Sequence, residues 1–393
     1  MNGINQVFSI TWMNLRNLPA RFGASMVIVV GIAGVVAVLV ALLSMARGFE
    51  ATLQKTGDPG RILLLRGGSN TEMASSICTS CFAALFDKPG VLRTEQGAMI
   101  AGETYVIANI AKRANNSEAN MPLRGVQPNS FLIRNEVKIV EGRNLEFGKF
   151  ELIAGVKAAD QFKGLDVGNR LRIRGADWEV VGLFASNGNI HESETWVDQT
   201  LLAGNINRIG YGAALVQLES PQDFDVFQQA LKDDVRLELE AIKVTKYYSE
   251  ASKGITSLIT GFGYGVGIIM AIGAIFGALN TMYSAVSTRG IEIATLRALG
   301  FGPVPIVISV MVEALLLSML GGAIGASIAY VFFNGYTAST MGGTFSQVSF
   351  DFAVTGELIA RGIIWSCVLG TVGGLFPSIS AARQPITVAL RGM

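Results

Sequence analysis

At 393 residues, half of them hydrophobic and only 16% charged, the chain is lean in charge for a soluble protein and long enough for more than one domain. A net charge of +1 offers no basic face and argues against nucleic-acid binding, and a single histidine leaves almost no room for histidine-based catalysis. The charges are also unevenly spread. Residues 47–253 hold 24 Lys/Arg and 26 Asp/Glu, against 7 and 4 in all the rest, which predicts a near-neutral soluble domain set into a membrane protein.

Residues 1–21 open the chain. Ile4, Val7, Phe8, Thr11, Trp12 and Leu15 recur at helical spacing, and Pro19 ends the run. This predicts an amphipathic helix that either lies in the bilayer interface or only sets the angle of the following span. Residues 22–46 form a charge-free first span, too long for a cleaved signal peptide. Its Gly23, Gly31 and Gly34 would permit close helix contact. Helical character continues through Arg47–Lys55 until Gly57-Asp58-Pro59-Gly60 stops it.

The domain over residues 47–253 reads as mixed α and β. Ile62–Leu65, Glu103–Ile110, Glu151–Ala154, Tyr211–Glu219 and Arg236–Val244 are strands. Arg170–Arg174 and Trp178–Phe184 form a hairpin with its turn at Gly175-Ala176-Asp177. The alternation of Arg170, Arg172 and Arg174 with Leu171 and Ile173 describes a solvated strand face. Ser220-Pro221-Gln222-Asp223 starts a helix that buries Phe224, Phe227 and Leu231. Cys78 and Cys81 form a CxxC that an oxidising compartment would allow to bridge, over a loop too short to constrain much. Metal binding is not expected, because zinc needs about four ligands and the chain's single histidine is far off in sequence. His191 lies in the polar stretch Asn187–Glu194 and reads as a solvated loop residue. Cys367 reads as a small packing residue.

Residues 254–286 are a second span, longer than a bilayer needs, so part of it should stand clear as a stalk. Residues 287–303 are a short charged island. Residues 304–333 are a third span with one charge, Glu313, placed to reach the interface or a donor on a neighbouring helix, and with Gly321-Gly322 and Gly325 for close packing. Residues 334–357 read as a short loop without Lys or Arg, residues 358–382 as the fourth span, whose helix ends about Phe376-Pro377, and residues 383–393 as a tail. The fold class is therefore a polytopic α-helical membrane protein, four transmembrane helices with a large α+β extracytoplasmic domain inserted between the first and second. Arg16, Arg21, Arg289, Arg297, Arg383 and Arg391 all fall on one side of that arrangement. The positive-inside rule makes that side, with both termini and the island, cytoplasmic.

No GxxxxGK[ST], HExxH or GxSxG occurs, and the spans lack the charges of an ion path. Neither catalytic residues nor a cofactor are expected on this chain, so its energy must come from a partner.

Arg289-Gly290-Ile291-Glu292-Ile293-Ala294-Thr295-Leu296-Arg297-Ala298-Leu299-Gly300-Phe301 resembles the R-x-x-E-I-x-x-L-R-A-x-G signature of FtsX-domain permeases, the membrane subunits of MacB-type (type VII) ABC transporters. Glu313-Ala314-Leu315, Gly321-Gly322, Gly325, Pro377 and Pro385–Arg391 are similar to the same domain. Pro122-Leu123-Arg124-Gly125-Val126, Glu141-Gly142-Arg143 and Asp166-Val167-Gly168 are similar to the family's periplasmic core domain. MacB carries an ATPase ahead of its first span and this sequence does not, so it resembles the split form. The resemblance implies a bacterial inner-membrane protein with its large domain in the periplasm. It implies a cytoplasmic ABC ATPase dimer binding ATP and Mg, and a second permease copy or a paralogue. A periplasmic adaptor and an outer-membrane channel are the further partners it implies, with membrane lipids around the spans. It makes the island an ATPase-coupling segment with Arg289, Glu292, Ile293, Leu296, Arg297 and Gly300 as coupling residues, and a short helix with apolar Ile291, Ile293, Leu296 and Leu299 and the orienting charges Glu292 and Arg297 suits a rigid lever. Export by mechanotransmission is the expected function, with a LolC/LolE-like extraction of lipoproteins or an FtsX-like control of envelope enzymes as alternatives.

Overall fold

The structure, a computed structural model, describes residues 3–16, 22–341 and 347–383. Arg21, Arg391 and the Pro385–Arg391 motif lie outside the described residues. The chain divides into two compact units.

The first unit takes residues 1–47, 257–336 and 352–393. Its helices are α1 (Gly3–Arg16), α2 (Phe22–Gln54) as far as Arg47, α3 (Val244–Thr288) from Ser257 on, α4 (Gly290–Ala298), α5 (Pro303–Phe333) and α6 (Gly356–Arg383). Four of them, α2, α3, α5 and α6, are long and apolar enough to cross a membrane. At 1.5 Å per residue the 45-residue α3 is about 68 Å long, more than twice a hydrocarbon core. α6 runs on through Pro377 to Arg383 rather than ending there.

Side-chain size decides which of these helices touch. A Cβ on Gly321 would fall 2.8 Å from the Val29 carbonyl oxygen, and one on Gly325 would fall 2.4 Å from that of Ala33, so α5 and α2 meet backbone to backbone. On the other side of α5, a Cβ on Gly322 would collide with Ser366 Oγ, and one on Gly370 with Ser318 Oγ. Glycine on each helix thus faces serine on the other, and α5 and α6 pack closely. The α2 glycines behave otherwise. Gly23, Gly31 and Gly34 have nothing within 4 Å, so the close contact expected at them is not made within this unit. α1 packs on α5 through buried Ile10 and leaves Phe8, Trp12 and Met13 exposed on its other side.

The second unit takes residues 48–256 and 337–351. Its strands are β1 (Arg61–Arg66), β2 (Ile100–Ala111), β3 (Glu118–Val126), β4 (Lys138–Gly142), β5 (Glu151–Gly155), β6 (Arg170–Ile173), β7 (Ala176–Ala185), β8 (Thr195–Asp198), β9 (Ala213–Gln217) and β10 (Leu239–Lys243). They form one mixed sheet in the order β10-β1-β9-β2-β3-β8-β5-β7-β4, with β6 beside β7. β3 with β8 and β5 with β7 are parallel, and the other pairs are antiparallel. The β6–β7 turn is Arg174-Gly175, one residue earlier than expected. Both residues have positive φ (52° and 89°), the twist a two-residue hairpin needs. Arg170 and Arg172 are exposed and pair across the hairpin with Glu179 and Asp177, the solvated face that the alternation describes. The helix over Phe224–Lys232 starts through a capping box of Ser220 and Asp223.

Residues 334–357 are not a plain loop. Thr337–Met341 (β11) and Gln347–Asp351 (β12) pair as antiparallel strands and belong to this second unit. Val348 and Phe350 alternate with polar residues and are buried, Phe350 edge-on to Phe49 at 5.4 Å. A reading based on missing arginines overlooked this two-residue period.

Candidate functional site

α4 is a nine-residue helix held at both ends. Arg289, between α3 and α4, has non-helical backbone (φ −97°, ψ 5°) and turns the chain. Its side chain points inward to Glu313 on α5, Nη1 to Oε2 at 2.8 Å and Nη2 to Oε1 at 3.3 Å. Both residues are 5% exposed. A planar fork on a carboxylate in a dry setting is a stiff joint, and either charge left alone there would be costly. At the far end, the Gly300 N–H donates to the Arg297 carbonyl and the Phe301 N–H to the Leu296 carbonyl. With Gly300 at φ +94°, this is a Schellman closure. Leu296 and Phe301 both pack against the helix core, the apolar contact such closures carry.

Between these ends the helix has two faces. Ile293 and Ala294 are buried. Ile291, Glu292, Thr295, Ala298 and Leu299 are exposed, a set that recurs every three to four residues and so makes one stripe. Ile291 is 45% and Leu299 72% exposed, an unpartnered apolar pair at the two ends of that stripe.

The second unit holds a buried ionic cluster. Arg124 on β3 stands in register between Tyr105 on β2 and Trp196 on β8. Glu103 and Glu194 lie two residues before Tyr105 and Trp196, so strand periodicity puts all of these side chains on one face. Arg124 forks onto Glu194 (Nε–Oε2 2.8 Å, Nη2–Oε1 2.9 Å), and its Nη1 also donates to Glu72 and Glu103. Arg134 holds Glu103 from the other side. Its guanidinium lies 5.5 Å from the Trp196 ring, as that of Arg124 lies 4.9 Å from Tyr105. Burial alone would raise the Glu103 carboxyl, but Arg134 and Arg124 outweigh it and hold it at about 2. Burial would raise Glu194 too, and Arg124 first among its neighbours pulls it well below the ordinary carboxylate range.

His191 belongs to this cluster, which corrects the solvated-loop reading. It is 2% exposed. Arg134 Nε donates to its Nε2 at 3.2 Å, so the proton of the neutral ring sits on Nδ1, which lies 3.2 Å from Glu194 Oε2 but off the line of a good hydrogen bond. Burial lowers its pKa, and Arg134 opposes a second cation. Beside the cluster lies a cavity of about 40 Å³, lined by Phe49 and Leu53 of α2, Tyr247 and Tyr248 of α3, and Tyr105 and Arg124. It has room for a few waters and no more. Among the described residues no group of three or more His, Cys, Asp or Glu could hold a metal.

Residues 25–234 match the MacB-like periplasmic core domain, and residues 264–386 match the FtsX-like permease C-terminal domain. The chain belongs to the MacB-like family of ABC transporter permeases. It is 22% identical to the uncharacterized ABC transporter permease YknZ of Bacillus subtilis, over 96% of this chain and 98% of that one. It is 24% identical to the uncharacterized ABC transporter permease MJ1507 of Methanocaldococcus jannaschii, over 65% of each. The solved extracellular domain of YknZ is similar to 47% of this chain and is covered in full, at 18% identity and a TM-score of 0.36.

In the permease, the six residues expected to couple to an ATPase do not share one surface. Glu292 and Gly300 are exposed, Arg297 and Leu296 are half-buried, and Arg289 and Ile293 are buried. Arg289 and Ile293 are turned inward, Arg289 onto Glu313 and Ile293 into the helix core. Gly300 serves the helix end. The exposed apolar positions are Ile291 and Leu299. Glu313 meets a neighbouring donor, and that donor is Arg289. Cys78 and Cys81 are disulfide-bonded, and Cys78 Sγ also accepts from the Cys81 N–H at the start of the short helix Thr79–Ala83. The Arg124 cluster was missed. Its signal was present in Leu123-Arg124-Gly125-Val126, an arginine inside an apolar strand, which must find carboxylates when buried.

Proposed function

We propose that the permease is the non-catalytic membrane subunit of an ABC transporter, with Mg-ATP hydrolysed by a separate cytoplasmic ATPase dimer that grips α4. In this reading both termini and α4 face the cytoplasm and the large unit faces the periplasm of a bacterial inner membrane. Two permease copies, identical or paralogous, work together. Closure of the ATPases tilts α4. The Arg289–Glu313 joint passes that tilt to α5, and continuous helices α2 and α3 carry it onward. Phe49 and Leu53 of α2 and Tyr247 and Tyr248 of α3 sit against the Arg124 cluster, so movement of these helices would reach the sheet there. The mechanical work delivered in this way would drive export with a periplasmic adaptor and an outer-membrane channel.

The observation carrying this proposal is the outward stripe Ile291, Thr295 and Leu299 on a helix fixed from behind. Burying two such aliphatic side chains in a partner contributes about 1.5–3 kcal/mol each. The test is vanadate-sensitive ATP hydrolysis retained with the tagged permease when it is purified from its own host. Ile291→Glu with Leu299→Glu should abolish it, and Arg170→Gln, on the exposed hairpin of the second unit, should not. Full turnover in the double variant would refute the assignment of this face.

A further inference from the structure

We propose that the groove between the start of α5 and the end of α6 holds the headgroup of an anionic phospholipid. The groove has a volume of about 530 Å³ and is lined by Arg297 of α4, Pro303, Val304 and Val307 of α5, and Ile379 and Arg383 of α6. Among the described residues two guanidiniums and no carboxylate line it, a charge that complements a phosphate. The remaining lining is aliphatic, and Val304 is exposed.

Position argues for lipid over a free anion. α5 and α6 are both apolar enough to span a membrane, and the groove lies where the two meet at one end. At such an end hydrocarbon gives way to water, the depth at which lipid phosphates sit. From Ile379, the exposed residues Phe376, Leu375 and Val372 continue along α6 at three- and four-residue spacing, a track for acyl chains. A soluble phosphate would use the arginines and leave this track unused. Arg297 lies on α4, so an anionic lipid held here would tie the position of that helix to the composition of the leaflet. The inference goes beyond the ATPase-coupling reading and does not rest on it, because it requires only that α5 and α6 cross the bilayer.

The test is native mass spectrometry of the full-length permease, purified in detergent and offered equal amounts of dioleoylphosphatidylglycerol and dioleoylphosphatidylcholine. The wild type should retain phosphatidylglycerol in preference. Arg297→Gln and Arg383→Gln should each lower that preference about fivefold, and the double variant about 25-fold. Arg383 is exposed at a helix end, so Arg383→Gln tests the site even if changes at Arg297 disturb folding. Equal retention of the two lipids by the wild type would overturn the proposal. Unchanged preference in the double variant would do the same, with simultaneous loss of a copurifying protein marking the groove as a protein contact. Displacement of phosphatidylglycerol by millimolar inorganic phosphate would reduce the site to a general anion site and also overturn it.

Discussion

Removing one member of the Arg289–Glu313 pair should damage the permease more than removing both. The two side chains are only 6% and 7% exposed, and the fork is bidentate. Glu313→Leu leaves a guanidinium in an apolar setting without its anion, and Arg289→Met leaves the carboxylate equally alone. Each single change should cost about 3–5 kcal/mol. The double change Arg289→Met with Glu313→Leu removes both desolvation penalties and should cost about 1 kcal/mol or less. For a unit of this size the single variants should then melt roughly 6–20 °C lower, and the double variant within a few degrees of wild type. Cys367 provides the probe. It is the one thiol outside the disulfide and lies half-buried in α6, so a thiol-reactive dye reports opening of the helix core. The decisive quantity is the coupling between the two sites. Additive losses, with the double variant as damaged as the sum of the singles, would refute the view that the pair is a closed joint.

Two other outcomes follow from local geometry. Gly300→Ala would meet nothing within 4 Å, so its cost is backbone strain alone at φ +94°. About 1 kcal/mol of thermal stability should be lost, and Gly300→Asn should lose less, because Asn visits left-handed backbone more readily. The large unit should be acid-labile with a definite sign. His191 has a lowered pKa when folded, so the unfolded chain takes a proton near pH 6.5 that the folded one refuses, and stability falls as pH drops below that value. Glu103 moves from 4.5 to about 2, so its contribution is full above pH 4.5 and is lost between there and 2, with Glu194 acting in the same direction. Fluorescence of the buried Trp178 and Trp196 during denaturation at stepped pH would measure this. His191→Gln should flatten the upper window only, and an equal slope in the variant would remove His191 from the account.

What the sequence made legible was whatever one residue type or one period decides. Long apolar runs located α2, α3, α5 and α6. Gly321, Gly322 and Gly325 marked a close helix contact because only small residues allow it. Pairings over long separations were not legible. Nothing local in Arg124 says that Glu72, Glu103 and Glu194 will surround it, and nothing in Asn187–Glu194 says that the fold will bury His191. The apolar residues of the island, Ile291, Ile293, Leu296 and Leu299, were legible, but which of them face outward was not. A helix of nine residues has too few turns for period alone to say which apolar residues the protein keeps, and it keeps Ile293 while leaving Leu299 outside.

The β11–β12 hairpin has a consequence for the order of synthesis. The large unit is complete only with residues 337–351, yet the rest of it ends at residue 256. Some 80 residues of chain, including most of α3 and all of α4 and α5, must be translated before β12 can bring Phe350 to Phe49 and Ser349 to Ser193. At roughly 5–20 residues per second this is a wait of roughly 4–16 s. The nascent large unit spends that interval with one side unfinished, and the ribosome closes it only after the third membrane helix has been made.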